Sequence, residues 1–428
     1  MRRRKSGIVQ RPRGTRDLVG EEIASIRQVM RTMSDVFKRY GYVEVETPIF
    51  EHLELFEKKS GASIVKQLYA FKDKSGRWLA LRPELTPSVV RLYIEQLKAE
   101  PKPLKLFYFG NCFRYEEPQA KRWRQFLQAG LEMIGSAKPE ADAEVIALAY
   151  HAIRELDIKN FELRIGQIRV LREVLAHAGV KTEAQDPIMR AIDSKDEARL
   201  DDELNKASVK EIDKKMLKTL VTLRGSGAIE KAEKAVTHMP KAKAAIENLR
   251  EILDYLKVLG VKEFSVDFGI ARGLEYYTDL VFELYVGNVQ IGGGGRYDEL
   301  ISLLGGEPCP AVGVGFGIDR IADALLAQGK KPQAETLDCM LLPAGEKTLP
   351  KCLEIAQELR GAGLRVDVDL MGRSLAKAIS YANSRKAKHA IIIGPKELAA
   401  KKVTLRDMHT GEQAEISEKE ILDKLRSA

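Results

Sequence analysis

Long apolar runs are missing from this chain, and so are clustered cysteines. No stretch approaches the roughly eighteen consecutive apolar residues that a membrane-spanning helix needs, so no transmembrane segment is expected. The four cysteines, Cys112, Cys309, Cys339 and Cys352, lie far apart and none forms a CxxC pair. That spacing argues against a structural zinc site and a disulfide framework, and it fits a reducing cytoplasm. Histidine is scarce as well. His52, His151, His177, His238, His389 and His409 all lie outside the motifs described below, so no histidine-activated nucleophile is expected there. The dinucleotide fingerprint and the P-loop are both lacking. The nearest approach, Gly-Val-Gly-Phe-Gly-Ile-Asp-Arg at 313–320, breaks the first spacing at Ile318 and has no Gly-Lys-Ser/Thr for the second. Residues 1–5, Met-Arg-Arg-Arg-Lys, are basic, but no apolar region follows them. They read as a frayed tail rather than a signal peptide, with a nucleic-acid-touching arm as the alternative.

What is present suits two or three globular domains: 428 residues, 44% of them hydrophobic. Charged residues make up 31%, as in a soluble protein, and 70 basic against 62 acidic residues leave a net charge of +8, compatible with a polyanionic partner. Ile23, Ile26, Val29, Met30, Met33 and Phe37 recur at helical spacing within 20–40, and Gly41 ends that helix. Residues 42–46 alternate like a strand. Two longer strand-like runs, 104–116 and 125–134, flank a basic loop and predict a long antiparallel hairpin. From about 168 to 250 Lys, Glu, Ala and Asp dominate, aromatics vanish and helical spacing persists, which reads as a helical insertion. Strand pattern returns at 280–286 and 289–291 around Gly287-Asn288, a hairpin signal, and again at 311–317, followed by a helix over 318–328. Beyond the polar linker at 329–332, strand and helix alternate through 340–342, 347–360, 364–368, 373–386 and 390–393, predicting a separate small α/β domain.

Two stretches carry the most information: Arg-Gly-Leu-Glu-Tyr-Tyr-Thr at 272–278 and Gly-Gly-Gly-Gly-Arg-Tyr-Asp at 292–298. Both read as strand, and the hairpin between them brings Arg272, Tyr276 and Tyr277 near a glycine run where backbone can approach a ligand closely. Phe-Arg-Tyr-Glu at 113–116 closes one strand of the long hairpin; an isolated Arg-x-Glu also fits a cross-strand ion pair. Gln128 and Glu132, four apart, share one face of the return strand. In Leu-Arg-Pro-Glu-Leu-Thr-Pro at 81–87, Glu84 and Thr86 offer a carboxylate and a hydroxyl, acceptors suited to an ammonium group; a polar turn before a helix explains the same residues structurally.

Taken together, 272–278 and 292–298 resemble the signature motifs of the histidyl-tRNA synthetase family, within the class II aminoacyl-tRNA synthetases. The resemblance implies an α+β catalytic core around an antiparallel sheet, in two parts (1–167 and 251–330), interrupted by the helical insertion 168–250. It implies a C-terminal α/β anticodon-binding domain over 335–428, and a homodimer formed partly by the segment around Phe50. Residues 113–126 and 313–320 then match two ATP-binding motifs. Carried over, Arg114 grips the α-phosphate, Arg122 meets the outer phosphates, Phe126 stacks on adenine, Arg320 contacts the γ-phosphate and an adenine face, and Glu116 belongs to the same site. Glu84 and Thr86 hold the α-amino group of histidine. Glu132 and Tyr277 contact the two ring nitrogens, with Gln128 and Tyr276 nearby. Arg272 lies between the histidine carboxylate and the α-phosphate and acts with Arg114 in catalysis. A carboxylate on one side of an imidazole and a phenol on the other suit its donor and acceptor nitrogens.

The implied activity is ATP-dependent: histidine and ATP give histidyl-adenylate and pyrophosphate, and histidine then passes to the 3′ end of tRNA(His). Magnesium is expected with ATP, without a metal-binding cluster in the chain. The dense bases Arg360, Arg365, Arg373, Lys377, Arg385, Lys386 and Lys388 are expected to serve the anticodon arm. Departures from the family pattern are Glu275 for Asp, Asp279 for Gly, Glu299 for a small residue and Asp319 for Glu. Two rivals differ in readable ways. A synthetase-like regulatory protein would lack the C-terminal domain and the ATP-binding arginines, and a synthetase for proline, threonine or glycine would lack the set Glu132, Tyr276 and Tyr277.

Overall fold

The computed structural model describes residues 10–58, 65–115, 123–271, 276–330, 332 and 336–427. The chain divides into two compact units, Met1–Pro332 and Gln333–Ala428.

In the first unit the strands are β1 (Val43–Glu44), β2 (Phe50–His52), β3 (Tyr69–Lys72), β4 (Trp78–Leu81), β5 (Leu104–Phe113), β6 (Gln125–Ile134), β7 (Phe161–Gln167), β8 (Ser265–Val266), β9 (Leu280–Val286), β10 (Val289–Arg296) and β11 (Ala311–Gly317). Eight of them form one sheet in the order β1-β5-β6-β11-β10-β9-β7-β8. Neighbours from β5 to β7 are antiparallel; only the edge pairs β1–β5 and β7–β8 are parallel. The long hairpin forms as expected, with Leu104 opposite Ile134 and Phe113 opposite Gln125. The second hairpin turns at Gly287, whose φ of +57° suits glycine in a two-residue turn.

One expectation needs correcting. The described part of the tyrosine-bearing signature, Tyr276 to Thr278, is not strand: β9 begins only at Leu280. Adjacent residues on a strand point to opposite faces, yet Tyr276 and Tyr277 line the same cavity. An irregular backbone there lets two successive rings face one way.

One face of the sheet is covered by helices. Helix Glu21–Arg39 buries Ile26, Val29, Met33, Val36 and Phe37 at helical spacing, and it carries acids in its first turn and bases in its last, each favourable to the helix dipole. It packs on helices Pro139–Glu155 and Ile318–Ala327. Each of those buried side chains is worth about 1.5–3 kcal/mol over exposure. The insertion is helical throughout: Ile168–His177, Thr182–Asp193, Glu197–Lys206, Glu211–Thr222, Ala228–Ala235 and Pro240–Val258. The last helix runs past 250 because Ile252, Leu253 and Leu256 continue the buried stripe of Ile246 and Leu249. A small antiparallel sheet, β2-β4-β3, stands apart and leaves Phe50 and Phe71 about half exposed on one side, their ring centroids 6.5 Å apart.

The second unit is a five-stranded sheet, β13-β12-β14-β15-β16, built from β12 (Cys339–Pro343), β13 (Val366–Val368), β14 (His389–Ile393), β15 (Lys402–Asp407) and β16 (Gln413–Ser417). The first three are parallel and the last two antiparallel. Helices Leu349–Gly361 and Ile421–Ser427 cover one face and Leu375–Ser384 the other. Several bases expected to meet RNA are tied into this fold. The Arg360 guanidinium donates twice to the Val366 carbonyl at 3.0 and 2.9 Å, Arg373 pairs with buried Asp369 and stacks on Tyr381, and Lys388 pairs with Asp338. Lys377 and Lys386 remain exposed.

Candidate functional site

The uncovered face of the large sheet holds the site, and glycines make room for it. Residues paired across strands share a face, so each small residue can be read against its neighbours. Gly130 lies opposite Tyr108, and a Cβ on it would sit 2.3 Å from the tyrosine hydroxyl. Gly313 lies opposite Glu132, and a Cβ there would fall 1.7 Å from the carboxylate. At Gly315 it would meet the Gln128 amide at 2.6 Å, and at Gly295 the Tyr277 ring at 2.8 Å. The glycine runs of β10 and β11 are therefore the floor under a set of large polar side chains.

Those side chains enclose an inner chamber lined by Glu84, Thr86, Arg114, Gln128, Glu132, Tyr276, Tyr277 and Tyr297. Glu132 is at its centre, 1% exposed. One carboxylate oxygen accepts from the Tyr108 hydroxyl at 2.8 Å, the other from the Tyr297 hydroxyl. Burial pushes its pKa up to about 7, against the pull of the hydroxyls and with a further push from Glu84. Burial, with the nearby carboxylates, also holds the phenols of Tyr108, Tyr276 and Tyr297 well above their usual range, so they stay protonated donors. Tyr276 donates to Glu84 at 3.1 Å, and the Thr86 and Tyr108 hydroxyls are 3.4 Å apart. The Cys112 thiol donates to the Gln128 amide oxygen at 3.1 Å. Burial raises that thiol to about 12, so it is no nucleophile.

An outer chamber opens beside the inner one, lined by Arg114, Trp123, Phe126, Gln128, the ends of β10 and β11, Asp319 and Arg320. Arg114 and Gln128 line both. The Arg114 guanidinium donates to the Pro83 carbonyl at 2.9 Å and lies 5.4 Å from the Phe126 ring centroid. Arg320 donates to the Gln290 carbonyl at 2.8 Å. On the opposite face of β10, buried Arg296 is held by Asp142 and Asp298 and ties the strand to helix Pro139–Glu155, fixing neighbouring Tyr297.

The charge pattern is divided. The inner chamber holds two carboxylates; the outer one has the guanidiniums of Arg114 and Arg320 against one carboxylate, Asp319, which is paired with Arg16, and Arg114 stands at the boundary. A small molecule with a cationic or N–H-bearing end fits inside, with its anionic end directed at a polyanion outside. Of the residues expected from sequence, Glu84, Thr86, Gln128, Glu132, Tyr276 and Tyr277 meet in the inner chamber, and Arg114, Phe126 and Arg320 in the outer. Glu116, Arg122 and Arg272 lie outside the described residues. Tyr108, Tyr297 and Trp123 were not anticipated. Tyr108 shares a strand face with Gly110 and Cys112, and Tyr297 follows the glycine run, but neither position signals a role until its pairing partners are known. Among the described residues no cluster of three or more His, Cys, Asp or Glu could hold a metal ion. Asp319, in the outer chamber, is committed to Arg16 and to the Leu127 backbone N–H.

Comparison with known proteins gives a consistent result. The family model described as histidyl-tRNA synthetase matches residues 14–321, and an anticodon binding domain matches 338–428. The histidine–tRNA ligase of Methanococcus maripaludis (strain C6) is 43% identical over 97% of this chain and 99% of that protein. The ligase of Methanocaldococcus jannaschii is 45% identical over 95% and 97%, and that of Pyrococcus furiosus 41% over 98% and 99%. Among solved structures, the apo histidyl-tRNA synthetase of S. aureus aligns with a TM-score of 0.73 at 27% identity, over 97% of this chain and 99% of that one. A Bacillus halodurans protein described as an ATP phosphoribosyltransferase regulatory subunit/histidyl-tRNA synthetase aligns at 0.78 and 28%, over 91% and 99%.

Proposed function

The chain belongs to the histidyl-tRNA synthetase family, and from that premise we propose how its two chambers divide the work of an ATP-dependent histidine–tRNA ligase. Histidine occupies the inner chamber. Its imidazole donates to Glu132 and meets the Tyr277 hydroxyl, and its ammonium group is held by Glu84 and Thr86. ATP occupies the outer chamber, with adenine on Phe126, the α-phosphate on Arg114 and the γ-phosphate on Arg320. Arg122 and Glu116 complete that site by resemblance. The observation that carries this reading is that Arg114 lines both chambers, where a guanidinium can meet a carboxylate from one and a phosphate from the other. A histidine carboxylate oxygen attacks the α-phosphorus, the bond to the leaving phosphate breaks, and pyrophosphate departs. Holding the two anions in register replaces a costly encounter with a fixed geometry. A hydroxyl of the terminal adenosine of tRNA(His) then attacks the histidyl carbonyl carbon, the acyl–phosphate bond breaks and AMP departs with the hydroxyl proton, while the second unit holds the anticodon arm.

Magnesium would accompany ATP and offset the charge of its phosphates; among the described residues no group of three or more His, Cys, Asp or Glu is assigned to it. The half-exposed Phe50 and Phe71 on the small sheet support a homodimer that covers this face. No helix among the described residues is long and apolar enough to cross a membrane, and we place the protein in the cytoplasm. A purely regulatory role is disfavoured because Arg114 and Arg320 both line the outer chamber and the second unit is present.

The test is amino-acid-dependent pyrophosphate–ATP exchange. Histidine should support it; proline, threonine and glycine should not. Exchange driven by one of those three, or none with any amino acid, would refute the reading.

The assay also carries a pH prediction. Ionised Glu132 accepts an imidazole N–H. Glu132 takes up a proton near pH 7 and free imidazole near about 6.5, so below that range both partners are protonated and the acceptor is lost. The KM for histidine should rise as pH falls from about 8 to 6, with the KM for ATP changing much less. A histidine KM flat across this range would show that Glu132 does not hold the ring.

A further inference from the structure

We propose that Arg16 is a positioning residue of the nucleotide site, through which the irregular segment ahead of the first helix fixes Trp123 and neutralises Asp319. This rests on assigning the outer chamber to ATP. Residues 10–20 form neither helix nor strand, yet three sets of contacts hold them in place. Arg16 is ion-paired with Asp319, and both side chains are largely buried, 14% and 11% exposed. The second Asp319 oxygen accepts the Leu127 N–H at 2.6 Å, near the start of β6. The Arg16 guanidinium carbon also lies 4.9 Å from the ring centroid of Trp123, a wall of the chamber. Finally, the Gly14 carbonyl accepts the Arg124 N–H at 2.8 Å, and the Arg124 guanidinium donates to the Arg13 carbonyl at 3.4 Å. Gly14 has a φ of +84°, and the Arg124 stem comes within 2.8 Å of where a Cβ would stand, so only glycine allows this approach.

The electrostatics give the contact a purpose. Asp319 faces a chamber that must admit a triphosphate, and an uncompensated carboxylate there would repel it. Arg16 cancels that charge from behind while its planar face supports Trp123. Among the described residues lining the inner chamber, none forms a hydrogen bond or ion pair with Arg16, so the effect should fall on ATP and spare histidine.

Histidine-dependent exchange in the full-length protein, with KM measured separately for each substrate, tests this. Arg16→Ala should raise the KM for ATP about tenfold and leave the KM for histidine within about twofold. Arg16→Lys, which keeps the charge, should recover most of the loss. Arg16→Ala combined with Asp319→Asn should be no worse than Arg16→Ala alone, because the carboxylate needing compensation is gone. If Arg16→Ala fails to fold, Arg16→Gln serves with the same expected split. An unchanged ATP KM, or an equal rise in both KM values, would overturn the proposal. An Arg114→Ala variant with a normal ATP KM would remove the chamber assignment itself, a failure distinguishable from normal ATP use by Arg16→Ala alone.

Discussion

Replacing Glu132 by Gln should lower kcat/KM for histidine activation by on the order of 10² to 10³, with the KM for ATP little changed. The side chain keeps its size but loses the charge that accepts the imidazole N–H, and it brings an N–H donor into a pocket where the Tyr108 and Tyr297 hydroxyls already donate. The fold should not suffer. A buried carboxylate whose pKa is raised from about 4.5 to about 7 binds its proton more tightly folded than unfolded. Its favourable contribution is therefore fully present below pH 4.5 and is lost as pH rises through 7. At pH 8 wild-type protein carries that cost and the Gln variant does not, so the variant should melt no lower. Gly313→Ala reaches the same pocket from the facing strand: its Cβ would fall on the Glu132 carboxylate, and histidine activation should drop comparably. Pyrophosphate exchange and a thermal melt at pH 8 check both variants. Near-normal histidine activation in either would mean that Glu132 does not read the ring.

Arg272→Lys should slow adenylate formation by on the order of 10² or more, with folding and ATP affinity changing much less. Arg272 lies outside the described residues, and the need for it is chemical. The histidine carboxylate and the α-phosphate are both anions, and bringing them together needs a cation with two fixed donors. Lysine keeps the charge but not the planar fork. Rapid-quench measurement of adenylate formation separates this step from tRNA transfer. A variant that activates histidine at close to the normal rate, or one that unfolds, would show that Arg272 serves structure.

How much of this could be read without the structure depended on whether a signal was local. Helix Glu21–Arg39 and the β5–β6 hairpin announce themselves through periodicity within one segment. Glu132 and Gln128 could be assigned to one face for the same reason. The two-residue turn at Gly287 was equally plain. Tyr297 was not, because its role exists only when β10 lies beside β11 and β11 beside β6, which brings three distant segments together at one carboxylate. The glycines were visible as a run, but the reason for each one lies in the side chain opposite it. The tyrosine pair reads as strand because the apolar alternation of β9, which begins only at Leu280, follows it closely. Charge density alone does not show which bases the fold itself uses: Arg360 and Arg373 each have a carbonyl or carboxylate partner within their own unit. Arg16 carries no local signal of its own, because its contacts with Asp319 and Trp123 join segments distant in sequence.

The central claim is that the two chambers hold histidine and ATP with Arg114 between them. The most direct measurement is a crystal structure of the protein with histidine and a non-hydrolysable ATP analogue. The imidazole should lie against Glu132 and Tyr277 in the inner chamber, and the α-phosphate against Arg114 within hydrogen-bonding distance of the histidine carboxylate's side of the site. Histidine bound elsewhere, or a nucleotide whose α-phosphate does not reach Arg114, would contradict the account.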